Sequence, residues 1–301
     1  MSHSPSDRRT SLDALAVATL LICCTLWGLN QVAAKVALVD IPPLTQAALR
    51  SAGGALLVLA WSRARGVPMF ERDGTARGGT LAGALFAFEF GCIFVGLQFT
   101  AASRMIVFLY LSPFVVALGM PLLAPGERLT RRQWAGLVVA FASVAVAFSE
   151  GFLRPAVGPL QWLGDTLGVV AGMLWGATTL AIRATRLATA APEKTLAYQL
   201  VVSALLLGLA APLAGEAWPA RVSALSMGSM FFQTVIVTFA SYLAWFWLVR
   251  HYPATRISAF TLLTPMAGLA FGVLLLGEPL TARLLIAMAG VALGLLLINR
   301  R

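Results

Sequence analysis

The chain has 301 residues, of which 59% are hydrophobic and only 11% are charged, and its formal net charge is +10. A soluble domain carries roughly 25% charged residues, so this composition excludes a chain that folds entirely in water. In a soluble protein, this basic charge would suggest a nucleic-acid partner. Here the basic residues lie in short gaps between apolar runs, which indicates that they orient the chain in a membrane. We therefore expect no nucleic-acid partner.

Ten apolar stretches follow one another along the chain, and a helix needs about 20 such residues to cross the hydrocarbon layer. The stretches are 12–38, 44–62, 79–99, 103–124, 133–150, 162–185, 195–214, 226–249, 256–276 and 281–298. They lack the strict alternation of barrel strands, so helices are the expected spanning structure. The sequence therefore predicts an all-α membrane protein with ten transmembrane helices.

The positions of lysine and arginine predict how these helices are oriented. If the N-terminus is cytoplasmic, sixteen of the 22 Lys and Arg residues lie on the cytoplasmic side. Cytoplasmic loops carry an excess of these residues. Both termini are therefore expected in the cytoplasm, which requires an even number of spans.

The two halves of the sequence resemble each other. The matched pairs are Trp27-Gly28 with Trp175-Gly176, Arg104 with Arg256, Phe108 with Phe260, Pro113 with Pro265, and Glu127-x-Leu129-Thr130 with Glu278-x-Leu280-Thr281. The sequence thus predicts two five-helix units, residues 1–150 and 151–301, within one integrated transmembrane unit. Because five is odd, the units enter the membrane from opposite sides, and such inverted repeats build many secondary transporters. A duplicated scaffold with no moving parts is the alternative.

These motifs resemble the EamA domain, the five-helix repeat of the drug/metabolite transporter superfamily. The first copy is seen in Trp27-Gly28, Lys35, Pro43, Arg50, Ala102-Ser103, Ser112-Pro113, Gly126-Glu127-x-Leu129-Thr130 and Gly136. The second copy is seen in Trp175-Gly176, Ala254-Thr255, Thr264-Pro265 and Gly277-Glu278-x-Leu280-Thr281. Within the superfamily the chain is similar to the YddG-type aromatic amino-acid exporters.

The resemblance implies a multi-pass carrier of the bacterial inner membrane that works by alternating access around a central cavity. Its implied cargo is amino acids, aromatic and other apolar ones favoured, or related small metabolites. The second copy departs from the pattern, because Thr178 stands against Asn30 and no arginine matches Arg50. The two halves are therefore not expected to contribute equally to a site.

Glu89 is the main candidate for a functional residue, because it is the only acidic residue well inside a predicted span. A charged side chain in lipid is costly, so Glu89 is expected to face the interior or a watery cavity. Three roles are open. Glu89 could couple transport to protons, bind a substrate ammonium group, or form hydrogen bonds within the bundle while protonated.

Aromatic residues near such a group would suit both an aromatic side chain and a cationic amine, although helix packing is the alternative for each. The predicted substrate pathway comprises Trp27, Asn30, Phe86, Glu89, Phe90, Tyr110, Trp175, Phe239, Tyr242 and Trp245.

Two prolines and two arginines occupy equivalent positions in the halves. Pro113 and Pro265 free the carbonyls four residues before them and are candidate hinges, with a static bend as the alternative. Arg104 and Arg256 are expected to lie in interfacial water and anchor their helices.

The sequence contains no Gly-x-x-x-x-Gly-Lys-Ser/Thr, His-Glu-x-x-His or Gly-x-Ser-x-Gly motif. We therefore expect no enzymatic activity, no catalytic residues, no metal, no cofactor and no ATPase subunit. The expected partners are a small-molecule substrate and membrane lipid, and the chain is expected to be a monomer. A channel or a non-transporting membrane scaffold is the alternative function.

Overall fold

A computed structural model describes residues 13–69, 71, 73–123, 130–153, 155–252, 260–261 and 263–299. The regular elements among these residues are helices. They are α1 (Ala14–Ala37), α2 (Pro43–Ala64), α3 (Ala76–Gly96), α4 (Ala102–Leu109), α5 (Ser112–Leu123), α6 (Arg131–Leu153), α7 (Gln161–Ala184), α8 (Pro192–Leu213), α9 (Ala224–Phe231), α10 (Tyr242–His251), α11 (Leu263–Leu276) and α12 (Ala282–Asn299). A short 3-10 helix, Arg186–Thr189, lies between α7 and α8, and a π-helix, Phe232–Ser241, joins α9 to α10.

Within the described residues, seven helical segments are long and apolar enough to cross a membrane. They are Ala14–Ala37, Ala76–Gly96, Ala102–Leu123, Arg131–Leu153, Gln161–Ala184, Pro192–Leu213 and Ala224–Trp245, and two shorter apolar helices are Leu263–Leu276 and Ala282–Leu297. The α2 helix has 22 residues but is not among the seven, and its buried positions include Gln46, Arg50 and Ser51. The prediction of an all-helical membrane protein is confirmed, while the count of ten spans and the orientation of the termini stay predictions.

Local sequence signals set several helix boundaries. Oδ1 of Asp13 accepts a hydrogen bond from the backbone N–H of Ala16 at 2.8 Å and so caps α1. Pro43 and Pro192 are the first residues of α2 and α8, where a missing backbone N–H costs nothing. Pro113 is the second residue of α5, and the predicted span 103–124 is interrupted just before it, between Leu109 and Ser112. Whether this break works as a hinge stays a prediction.

The tryptophan-glycine motif of each half lies where two helix backbones come close together. A Cβ atom on Gly28 would lie 2.6 Å from the backbone nitrogen of Gly268, so α1 packs directly against α11. A Cβ atom on Gly176 would lie 3.0 Å from the carbonyl oxygen of Ser112, so α7 packs directly against α5. In both halves the glycine therefore lets the first helix of the predicted unit contact the proline-containing helix of the other unit. Pro265 lies in the first turn of α11, whereas Arg256 and Glu127 lie outside the described residues.

The loop between α2 and α3 is tied to the start of α8 by one carboxylate. Nζ of Lys194 donates to Oδ2 of Asp73 at 2.7 Å, and the backbone N–H and hydroxyl of Thr75 donate to Oδ1. The Lys194 ammonium group and these Thr75 donors hold the pKa of the Asp73 carboxyl well below its usual range. The folded state therefore favours the ionised form of Asp73.

This favoured ionisation predicts a pH-dependent contribution to stability. The contribution is fully present above the unfolded-chain pKa of about 3.9 and is lost as the pH falls from there towards the lower folded-state pKa. Asp73→Asn is therefore expected to lower the unfolding temperature of the purified protein slightly at pH 7, and the difference from wild type should narrow below about pH 4. Glu193→Gln is the control, because it removes one charge at the same helix start without these bonds. A difference that stays constant with pH would contradict the prediction.

Candidate functional site

Two buried ionisable residues, one basic and one acidic, lie on the neighbouring helices α2 and α3. Arg50 is 0% exposed to solvent, and Glu89 is 4% exposed. The guanidinium carbon of Arg50 lies 4.1 Å from the centroid of the Phe90 ring, and its Nη2 donates to the hydroxyl of Tyr242 at 3.3 Å. An aromatic ring and a phenol thus hold the cation in a dry part of the bundle.

Both charged groups keep unused hydrogen-bonding capacity. Among the residues that the structure describes, none bonds to Nε or Nη1 of Arg50 or to Oε2 of Glu89. Phe90, whose ring lies against the guanidinium of Arg50, directly follows Glu89, yet no ion pair within 4 Å joins Arg50 and Glu89 in the described part of the chain. A buried donor or acceptor without a partner is costly, so this arrangement suits a bound molecule that supplies the missing partners.

Aromatic rings from three helical segments surround this pair. The Trp27 ring makes edge contacts with Tyr242 and Trp245, with centroids 6.3 Å and 5.2 Å apart. Its Nε1 donates to the hydroxyl of Ser241, the last residue of the π-helix, at 2.9 Å. The centroids of Phe86 and Phe90 lie 4.5 Å apart. The site is therefore a basic and an acidic residue surrounded by aromatic rings. The π-helix ends beside it, and π-helical segments occur frequently at functional sites.

The structure brings most of the predicted pathway residues together and separates the rest. Those in this neighbourhood are Trp27, Phe86, Glu89, Phe90, Phe239, Tyr242 and Trp245. Tyr110 and Trp175 instead contact each other, with centroids 6.2 Å apart, and Trp175 is 37% exposed. Asn30 is buried, and its Oδ1 has no hydrogen-bond partner among the described residues. Whether these residues line a pathway stays a prediction.

Tyr110 makes a hydrogen bond that links the two halves. Its hydroxyl donates to the carbonyl oxygen of Thr261 at 2.7 Å. That carbonyl is the one that Pro265 cannot bond, since proline has no N–H. The hydroxyl of Tyr110 in the first half and the N–H of Thr264, which donates to the same oxygen at 3.0 Å, thus bond this carbonyl.

Arg50 belongs to the family motif of the first half, but it is not among the pathway residues predicted from the sequence. It lies close to the start of the stretch 44–62, a position that indicates the end of a span. A signal was present, however, since an arginine and a glutamate inside consecutive apolar runs each need a polar partner.

The expectation that Arg104 lies in interfacial water is wrong. Arg104 is 3% exposed, and each of its three nitrogens donates a hydrogen bond. Nε and Nη2 bond to Asp165 at 3.1 Å and 2.5 Å, Nη1 bonds to Glu150 at 2.7 Å, and Nη2 also bonds to the carbonyl of Ala147. The physical reason is that neighbouring helices cover this end of α4, so closeness to the end of a span does not imply contact with water.

Glu278 joins the second half to the start of α4 in the first half. Its carboxylate accepts the backbone N–H groups of Ala102 at 2.6 Å and Ser103 at 2.9 Å. Nζ of Lys35 lies 3.7 Å from the same carboxylate and donates to the carbonyl of Thr100 at 2.5 Å. A negative charge at a helix N-terminus is stabilised by the helix dipole. We call this arrangement the Glu278 cap.

Two further acids link the halves at the same end of the bundle, where α1 ends and α2 begins. Glu216 accepts the backbone N–H groups of Leu44 and Thr45, both at 2.8 Å, and so caps α2. Asp40 accepts the N–H of Ser223 at 2.9 Å and the hydroxyl of Ser226 at 2.6 Å, next to the start of α9. The hydroxyls of Ser223 and Ser226 hold the pKa of the Asp40 carboxyl below its usual range. Each of the three acids therefore contacts a helix start in the half to which it does not belong.

Comparison with known proteins agrees with a membrane carrier. The model of the EamA-like transporter family matches residues 14–149 and 162–300. The uncharacterized transporter YvbV of Bacillus subtilis is 26% identical over 297 residues, which cover 96% of this chain and 92% of the relative. An Escherichia coli protein named as a probable amino-acid metabolite efflux pump is 28% identical over 271 residues, which cover 87% of each chain.

A solved crystal structure shares the fold. It superposes with a TM-score of 0.65 over 94% of this chain and 97% of its own, at 21% sequence identity. The family match extends over nearly the whole sequence, and on that evidence the chain belongs to the EamA-like transporter family.

Proposed function

We propose that the protein is a secondary transporter of the bacterial inner membrane that exports amino acids, aromatic and other apolar ones favoured, or related small metabolites. The observation that carries this proposal is the pair of buried, incompletely bonded charges Arg50 and Glu89 among aromatic rings. The Escherichia coli relative, named as a probable amino-acid metabolite efflux pump, supports the same substrate class.

The proposed architecture is ten transmembrane helices in two inverted five-helix repeats, with both termini in the cytoplasm. The family model supports it, because one match falls in each predicted half. The equivalent close contacts at Gly28 and Gly176 support it as well. On this topology the end of the bundle that holds the Glu278 cap faces outside, and the described conformation is the one closed on that side.

In alternating access, a site between the two halves opens first to one side of the membrane and then to the other. Contacts between the halves must therefore break at the end that opens and form at the end that closes. The Glu278, Glu216 and Asp40 contacts all join one half to the other, so opening the outer end must break them. They are hydrogen bonds to polar backbone or hydroxyl groups, which water can replace once that end is open.

Transport by purified protein in liposomes tests this function. The assay is counterflow of a panel of labelled amino acids into vesicles preloaded with the same unlabelled amino acid. A carrier accelerates exchange when substrate is present on the far side, whereas a channel does not. We expect accelerated exchange for apolar amino acids. Failure to transport any amino acid would contradict the substrate class, and flux without acceleration would indicate the channel alternative.

A further inference from the structure

We propose that Arg50 and Glu89 form a zwitterion-binding site, in which Arg50 binds the carboxylate and Glu89 binds the ammonium group of an amino acid. The inference rests on the proposed function and assigns the recognition chemistry of that site. It implies that molecules lacking either charge bind weakly even when their side chain is the same.

The contrast between two buried arginines supports the role of Arg50. Arg104 is 3% exposed, and Asp165, Glu150 and a backbone carbonyl satisfy all three of its nitrogens. Arg50 is 0% exposed, yet its one hydrogen bond within the described residues goes to a neutral phenol at 3.3 Å. A guanidinium carries five N–H donors and binds carboxylates strongly. Arg50 therefore keeps the donors that a ligand carboxylate needs, whereas Arg104 does not.

Glu89 supplies the complementary charge on the next helix. Its Oε2 has no partner among the described residues, and the residue is only 4% exposed. The guanidinium of Arg50 lies 4.1 Å from the ring centroid of Phe90, the residue after Glu89, and no ion pair joins Arg50 to Glu89 among the described residues. An amino acid carries its carboxylate and its ammonium group on one carbon, so a single ligand can contact both residues. Binding then gives each buried charge a partner of opposite sign.

The surrounding rings account for the side chain that such a ligand would carry. Phe90 covers the guanidinium of Arg50, and Phe86 packs on Phe90. Tyr242 bonds to Arg50 and contacts the ring of Trp27. Apolar and aromatic side chains gain most from such surfaces, because burial of apolar area is the main favourable term.

The assignment is tested by combining ligands that lack one of the two charged groups with protein variants that lack Arg50 or Glu89. The ligands are L-phenylalanine with 2-phenylethylamine and 3-phenylpropanoate, and L-leucine with 3-methylbutylamine and 4-methylpentanoate. Each is assayed as a competitor of amino-acid counterflow and as a stabiliser of the purified protein against heat. In the wild type, each amino acid is expected to bind at least about tenfold more tightly than its amine or its acid.

The variants should remove this discrimination selectively. Arg50→Gln is expected to weaken binding of the amino acids at least about tenfold while leaving binding of the amines unchanged. Glu89→Gln is expected to weaken the amino acids similarly while leaving the acids unchanged. Ser51→Ala is the matched control, since Ser51 neighbours Arg50 on α2 and bonds to Ser203 instead, and its affinities should equal those of the wild type.

Three results would overturn the assignment, and each differs from failure of the proposed function. If Arg50→Gln weakens amino acids and amines equally, Arg50 has a structural role. If Glu89→Gln removes the response to a pH gradient but leaves all affinities unchanged, Glu89 is a proton-coupling group. If amino acids bind no more tightly than their amines and acids, no zwitterion is recognised. Selective binding without transport would instead support the assignment and contradict the proposed function.

Discussion

Replacement of Arg104 by methionine is expected to destabilise the folded protein by about 3–5 kcal/mol, because it removes the cation from a buried cluster of ion pairs. The substitution keeps a long unbranched side chain but leaves Glu150 and Asp165 as buried anions without their cation. Those two residues are 5% and 0% exposed, so water cannot compensate. Glu150 would retain its hydrogen bond from Thr281 and Asp165 its bond from Thr100, but neither donor carries a charge.

Thermal unfolding of the purified protein in detergent measures this effect. Arg131→Met is the matched control, because Arg131 is an exposed residue at the start of α6 and the same substitution there should change stability by less than about 0.5 kcal/mol. Similar unfolding temperatures for the two variants would show that the Arg104 ion pairs do not stabilise the bundle.

Glu278→Gln is expected to open the end of the bundle that holds the Glu278 cap. Glutamine offers one acceptor oxygen instead of two and carries no charge for Lys35 or for the start of α4. Hydrogen bonds to a charged group contribute about 1.5–3 kcal/mol, so their loss should raise the population of the open state tenfold or more. Because Ser103 is 0% exposed and its N–H bonds to Glu278, a thiol at this position should react only when that end opens.

The measurement is the rate at which a membrane-impermeant maleimide, added on the side that the proposed topology makes external, labels Ser103→Cys in a background where Cys23, Cys24 and Cys92 are replaced. Labelling should be at least about tenfold faster with Glu278→Gln than without it. Asp73→Asn, which breaks a contact near the start of α8 instead, should leave the rate unchanged. Equal labelling rates with and without Glu278→Gln would mean that the closed end does not depend on the cap.

Much of the helical architecture could be predicted from the sequence, because the length of an apolar run decides whether it can cross a membrane. The predicted span 12–38 corresponds to α1 at Ala14–Ala37, and the proline at position 113 indicated a disturbance that appears as the break between α4 and α5. The π-helix within the predicted span 226–249 gave no such signal. A wider hydrogen-bonding pattern leaves the composition and the apolar length of a segment unchanged.

The site was predictable only where a residue is unusual by itself. Glu89 was found because an acid inside an apolar run needs an explanation. The burial of Arg50, Glu150 and Asp165 was not predicted, because they lie towards the ends of apolar runs. Residues at that depth in the membrane are expected to contact water. Exposure depends on which helices cover a position, and that is a property of packing between elements distant in sequence. Trp175 matches Trp27 in the sequence, yet the Trp27 ring contacts Trp245 whereas the Trp175 ring contacts Tyr110.

At one end of the bundle, acidic residues of each copy contact helix starts of the other copy, and this makes the two copies depend on each other. Asp40 of the first copy contacts the start of α9, while Glu216 and Glu278 of the second copy cap α2 and α4. A copy inserted alone would keep helix starts whose N–H groups have lost their acceptors, and its own acids would face no helix. Each copy thus supplies hydrogen-bond acceptors that the helix starts of the other need, and we expect neither copy to fold stably when it is expressed alone.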